Sequence, residues 1–141
     1  MKNSLKILLA CLFTLATGAG VLAQEGKAGS TESKGLVLVE AMMCEHAGDN
    51  GPCARAVTFS TTLGQVSCLT VFDQIEDRSF VFHSWYRQDT LATKKRLAIR
   101  PPRWATVSTM ELREADKGPW RVEVNDASGR LLAILRFSVV D

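Results

Sequence analysis

The residues Phe80-Val81-Phe82-His83-Ser84-Trp85-Tyr86-Arg87 form the densest aromatic run of the sequence, and they include one of its 2 histidines. Aromatic and β-branched residues are enriched in β-strands, whose side chains alternate between two faces. One face carries Phe80, Phe82, Ser84 and Tyr86, and the other carries Val81, His83, Trp85 and Arg87. Because neither face is purely polar, we expect a central strand that is covered on at least one side.

Short segments with alternating apolar side chains recur along the chain, and turn-forming residues separate them. The expected strands span residues 36–43, 66–72, 80–87, 91–99, 104–112, 120–124 and 131–139, with a further short strand within 56–60. Residues 61–64 are expected to form a turn. No stretch shows sustained helical periodicity. The pattern predicts an all-β fold, an antiparallel β-sandwich of about seven to eight strands, with a small antiparallel barrel as the alternative.

The cysteines add detail to this prediction. Cys68 on one strand and Trp85 on the next favour an immunoglobulin-like core, although Cys68 has no evident partner on a late strand. Cys44 and Cys53 flank a loop rich in turn formers, so we expect a disulfide between them and a buried free thiol at Cys68. Pairing of Cys68 with either of the others is one alternative, and a zinc site of Cys44, His46, Asp49 and Cys53 is another.

The first residues differ in character from the rest of the chain. Lys2 and Lys6 precede an apolar run, and Val21-Leu22-Ala23 places small residues where a signal peptidase cleaves. We expect a signal peptide over 1–23, a disordered linker over 24–35 and a β-sandwich domain over 36–141. The protein is then exported, to the periplasm or beyond, and has no membrane span after cleavage; an uncleaved anchor is the alternative.

Loss of Lys2 and Lys6 with the signal leaves equal numbers of basic and acidic residues in the remaining chain. A neutral domain argues against a nucleic-acid partner, which normally requires a basic face. The one local cluster of positive charge is Lys94-Lys95-Arg96. Lysines at a strand edge suppress aggregation, and this is the simpler interpretation; contact with anionic lipid or polysaccharide is the other.

Four segments together resemble the bacterial domain-of-unknown-function family 2914. They are His83-Ser84-Trp85-Tyr86-Arg87, Trp104-Ala105-Thr106-Val107-Ser108, Gly118-Pro119-Trp120-Arg121-Val122-Glu123-Val124 and Gly129-Arg130-Leu131-Leu132. The resemblance spans residues 36–139, and Val107 stands where the family usually has an aromatic residue. It implies a small exported or membrane-tethered β domain, and it implies no activity and no catalytic residues.

The strongest candidate site combines aromatic rings with polar groups on these strands. Its members are His83, Trp85, Arg87, Trp104, Ser108 and Trp120. Rings that stack on sugars, with polar groups that fix their orientation, suit a glycan; burial of the same residues in the core is the competing interpretation.

No catalytic motif, phosphate loop or cofactor motif appears in the sequence. We therefore expect a non-enzymatic binding module for a cell-envelope glycan, without a cofactor. The alternative is a protein-interaction module that uses a sheet edge, and a weak hydrolase is a third hypothesis.

Overall fold

The computed structural model describes residues 35–47 and 53–141. The predicted signal peptide and the predicted linker, apart from Gly35, lie outside the described residues, as does Asp49 of the alternative zinc site. Among the described residues, no helix has the length and apolarity that crossing a membrane requires.

Eight strands form in the described chain. They are β1 (Val37–Cys44), β2 (Thr58–Ser60), β3 (Gln65–Asp73), β4 (Ser79–Arg87), β5 (Thr90–Ile99), β6 (Trp104–Glu111), β7 (Gly118–Asp126) and β8 (Leu131–Val140). Each lies where alternating side chains predict it. Short 3-10 helices span Thr61–Leu63, within the predicted turn, and Glu114–Asp116, which the sequence pattern did not predict.

The strands form two sheets that make a sandwich. The order is β1-β3-β6 in the 3-stranded sheet and β2-β8-β7-β4-β5 in the 5-stranded sheet. Strands β8, β7 and β4 lie side by side, as the last strands and the tryptophan-bearing strand do in immunoglobulin-like sandwiches. The predicted sandwich is confirmed, and the alternative of a closed barrel is excluded. The aromatic strand β4 lies between β7 and β5, as expected of a central strand.

One strand pair departs from the predicted antiparallel arrangement. The short strand β2 runs parallel to β8, with Thr58 opposite Ser138 and Ser60 opposite Val140. Parallel and antiparallel strands share the same two-residue alternation, so the pattern of residues 56–60 holds no information about direction. The direction depends on how the chain crosses from β1 to the other sheet.

Aromatic packing fills the interior between the sheets. Phe137 lies at the centre, with ring centroids 5.7 Å from Phe59, 6.0 Å from Trp85 and 6.2 Å from Trp120. The first two contacts are edge-to-face and the third is stacked, and both are favourable arrangements for aromatic rings. Phe137 thereby joins β2, β4, β7 and β8 into one core.

The cysteines follow the prediction. Cys44 and Cys53 form a disulfide with their Cα atoms 5.4 Å apart, and Cys68 is a buried free thiol. Cys68 shares the core with Trp85, as the immunoglobulin-like pattern predicts. The inward-facing positions of β7 near it hold Trp120 and Val122, so they offer Cys68 no disulfide partner. Burial raises the pKa of the Cys68 thiol to about 12, so the thiol stays protonated and unreactive.

We expect loss of the disulfide to lower the free energy of unfolding by about 2–3 kcal/mol, because a closed loop of this length restricts the unfolded chain. The variant is Cys44→Ala/Cys53→Ala, and the measurement is urea unfolding. Reductant should lower the midpoint of the wild-type protein and leave that of the variant unchanged. Equal midpoints for the wild-type protein with and without reductant would contradict the prediction.

Candidate functional site

The predicted site residues do not form one cluster; the structure places them in three separate environments. His83, Trp85 and Ser108 are buried between the sheets. Arg87 lines a groove at one side of the sandwich together with Trp120, which belongs to the core and is only 5% exposed. Trp104 is 36% exposed, and the Arg100 guanidinium lies 5.2 Å from the centroid of its ring.

A buried polar network joins His83 to the opposite sheet. The imidazole Nδ1 lies 2.8 Å from Ser108 Oγ, and Nε2 lies 3.0 Å from Thr70 Oγ1. Trp85 Nε1 donates to the same Ser108 oxygen at 3.1 Å. His83 and Trp85 belong to β4, whereas Thr70 and Ser108 belong to β3 and β6. The network therefore spans the sandwich.

The donor roles in this network follow from its chemistry. The indole of Trp85 can only donate, so Ser108 Oγ accepts that bond and its own hydrogen is available to donate to His83 Nδ1. The direction of the remaining bond depends on the imidazole tautomer: when Nδ1 accepts from Ser108, the Nε2–H of His83 donates to Thr70 Oγ1. Burial lowers the pKa of His83 to about 4, because a charged imidazole would lose its hydration without gaining a carboxylate partner. His83 is therefore neutral at physiological pH.

The same geometry bears on the hydrolase hypothesis. His83 and Ser108 have the spacing of a base and a nucleophile, but they are 0% and 3% exposed. The oxygen of Ser108 also accepts the indole bond of Trp85. A substrate cannot reach this pair without opening the core, so the network is a structural one.

The second environment is a groove beside the open edges of β5 and β6. Two adjoining cavities of about 590 and 540 Å³ meet at Trp120, and we call them together the Trp120 groove. Polar side chains dominate the walls. They include Arg87, Thr90, Thr93, Lys95, Thr109 and Asp116. The groove thus has hydroxyl and charged walls, and its floor is the small exposed part of Trp120.

Trp120 is held firmly at this floor. Its Nε1 donates to the Asp116 carbonyl oxygen at 2.6 Å, and its ring stacks on Phe137 at an interplanar angle of 17°. Arg87 is exposed on the groove wall and donates through Nη2 to the Lys117 carbonyl oxygen at 3.1 Å. A further cavity of about 310 Å³, lined by Ile75, Ile99 and Asp126 among others, contains none of the predicted residues.

The outer side of β4 carries aromatic residues that strand alternation places on one face and that are not among the predicted site residues. Phe80, Phe82 and Tyr86 form this row, and each ring lies beneath a cation. The distances from cation to ring centroid are 3.8 Å for Arg96 over Phe80, 4.2 Å for Lys94 over Phe82 and 4.3 Å for Arg121 over Tyr86. The Lys94-Lys95-Arg96 cluster, together with strand alternation, was the signal for this surface.

The two environments of Trp85 and Trp104 predict different responses to truncation. We expect Trp85→Ala to lower the free energy of unfolding by about 3–5 kcal/mol, since it empties a fully buried site. Trp104→Ala should lower it by about 1–2 kcal/mol, because more than a third of that side chain is already in water. Urea unfolding of both variants checks this, and equal losses would contradict the assignment of Trp85 to the core.

The depressed pKa of His83 predicts a pH-dependent stability. Above pH 6.5 the imidazole is neutral in both states; between about 6.5 and 4 only the unfolded chain takes up the proton. Stability is therefore fully present above the unfolded pKa and falls by up to about 1.4 kcal/mol per pH unit as the pH drops through that window. Unfolding in urea at several pH values measures the slope. His83→Asn should flatten it, whereas His46→Asn, at an exposed position, should leave it unchanged.

Comparisons with known proteins add little about activity. No curated protein matches the chain in sequence. The crystal structure of a beta-glucosidase from Listeria innocua in complex with glucose is similar at a TM-score of 0.46 and 10% identity. The match covers 76% of this chain, which spans only 16% of the length of that enzyme chain. A likeness at this level carries no argument about function.

The sequence also matches a family model, described as protein of unknown function (DUF2914), over residues 79–139. These residues run from the start of β4 almost to the end of β8, and they contain every motif on which the resemblance was based. The earlier part of the predicted span, residues 36–78, lies outside the match. The match confirms, for residues 79–139, the resemblance to this family of unknown function.

Proposed function

We propose that this protein is an exported, non-enzymatic binding module, and that a cell-envelope glycan binds in the Trp120 groove. The observation that carries the proposal is the grouping in one concave surface of hydroxyl, amide and charged side chains around the mostly buried Trp120. Sugars have hydroxyl groups that need hydrogen-bonding partners around them, and these walls supply such partners.

The size and rigidity of the groove support this proposal. Its cavities, about 590 and 540 Å³, fall within the range of small-ligand sites. The hydrogen bond from Trp120 to Asp116 and the stacking on Phe137 fix the indole before any ligand arrives. A fixed side chain loses little conformational entropy on binding, which favours affinity.

Features outside the groove support the remaining parts of the proposal. The signal-like sequence at residues 1–23 and the Cys44–Cys53 disulfide both suit a protein made for an oxidising compartment. The inaccessible His83–Ser108 pair favours binding over catalysis.

The strand-addition alternative has weaker support. Strand β5 is 10 residues long and lies at an edge of its sheet, which would suit an added strand. However, Lys95 reaches from β5 to donate its Nζ hydrogen to the carbonyl oxygen of Thr109 on β6. This bond occupies a backbone acceptor and places a charge between the two open edges, and both hinder strand addition.

Tryptophan fluorescence tests the proposed function. In a Trp104→Phe background the remaining indoles are the buried Trp85 and the groove residue Trp120. Soluble fragments of bacterial cell-wall polysaccharide should change the emission saturably. Arg87→Ala should weaken binding about tenfold, the value of one hydrogen bond to a charged group, and Thr93→Ala should weaken it less.

Arg78→Ala is the matched control, since it removes an exposed arginine that lies outside the groove. This control should bind the fragments as the parent does. The proposal fails if no fragment changes the emission, or if Arg87→Ala and Thr93→Ala bind as tightly as the control.

A further inference from the structure

Basic side chains collect on the outer side of the 5-stranded sheet, and we call this surface the basic face. Its charged members are Lys94, Arg96, Arg121, Arg136 and the single carboxylate Glu123. From this surface we infer that the bound glycan is acidic, and that its carboxylate or phosphate groups dock on the basic face. This inference rests on the proposed function and names the chemical class of its ligand.

The charge is segregated between the two outer sides of the sandwich. The charged residues at the outward positions of the 3-stranded sheet are all acidic: Glu40, Asp73 and Glu111. Two of these three are paired, Asp73 with Arg103 at 3.4 Å and Glu111 with Arg113 at 4.0 Å, so the excess of charge lies on the basic face. A local excess of this kind steers an anionic polymer to the basic face even though the net charge would not attract it.

Several cations of the basic face lack acidic partners. Arg121 pairs with Glu123 at 2.8 Å and with Asp89 at 3.1 Å. Within the part of the chain that the structure describes, Lys94, Arg96 and Arg136 form no ion pair. Arg136 also lies directly opposite Arg121 on the neighbouring strand. Like charges in that position destabilise a sheet, and an anionic ligand would relieve the repulsion.

The aromatic row beneath these cations fixes how a ligand would meet the surface. The Phe80 and Phe82 rings are covered by Arg96 and Lys94 at 3.8 and 4.2 Å from the ring centroids. The covered rings are not available for stacking, but they hold the cationic groups above the sheet. A ligand therefore encounters charge first on this face, which suits acidic groups better than the apolar face of a sugar.

The basic face is continuous with the Trp120 groove. A smaller concavity of about 190 Å³ adjoins Trp120 and is lined by Arg121 and Arg136, together with Asp89, the ion-pair partner of Arg121. A polymer that occupies the groove would thus leave it over these two arginines. An anionic membrane could also bind a flat basic surface, but a planar bilayer cannot enter the groove, so continuity favours the glycan.

The experiment compares polygalacturonate with its fully methyl-esterified form, which keeps the same sugar backbone and removes the charge. We expect the full-length chain to bind the acid form at least about tenfold more tightly than the ester, with affinity that falls as salt rises. Lys94→Gln/Arg96→Gln should weaken binding to the acid form about fivefold to tenfold, as for two exposed ion pairs.

Arg55→Gln/Arg78→Gln is the matched control, because it removes the same charge from exposed positions outside both the basic face and the Trp120 groove. It should bind the acid form as the wild-type protein does, and circular dichroism should show both variants folded. Equal losses in the two double variants would mean that net charge alone governs binding, and would overturn the inference.

Two other results would overturn it in different ways. Equal binding of the acid form and the ester, weakened by Arg87→Ala, would retain the glycan-binding function and reject an acidic ligand. Binding to phosphatidylglycerol vesicles but to neither polymer, lost in Lys94→Gln/Arg96→Gln, would assign the basic face to a membrane. Failure of cell-wall fragments as well as both polymers to bind would reject the proposed function itself.

Discussion

The hydrogen bonds of the buried His83 imidazole are the constraint on which the rest of this sandwich depends. Its ring nitrogens contact Ser108 at 2.8 Å and Thr70 at 3.0 Å, both on the sheet opposite its own. Hydrophobic attraction is non-directional, whereas a buried imidazole requires its hydrogen-bonding partners at fixed positions. The network therefore fixes the register between the sheets as well as holding them together.

The same network distinguishes the surroundings of the two core tryptophans. Trp85 completes the hydrogen bonding of Ser108, so its indole serves the core. Trp120 stacks on the same central Phe137 but lies where the sandwich opens, and the little of its surface that stays accessible faces the groove. Of these two core tryptophans, only Trp120 therefore lies at the margin between the sheets.

Electrostatics adds a second level of organisation on top of the packing. The inward sides of both sheets carry the apolar residues, so the outward sides are free to differ in charge. One is basic above a row of aromatic rings, and the other carries three acidic residues, two of them paired with arginines. Because Lys94 and Arg96 lie over Phe82 and Phe80, part of their attraction to anions is offset by the ring contact, yet their charge still faces outward.

Much of this fold was determined locally by the sequence. Side-chain alternation placed every strand, and the spacing of Cys44 and Cys53 predicted the disulfide, because both depend on neighbouring residues along the chain. Only tertiary structure decided three features: the direction of β2, the separation of the candidate residues into core and groove, and the position of Arg136 opposite Arg121 on the neighbouring strand. Alternation shows which residues share a face but not which face is covered, and burial of His83, Trp85 and Ser108 depends on strands far away in sequence.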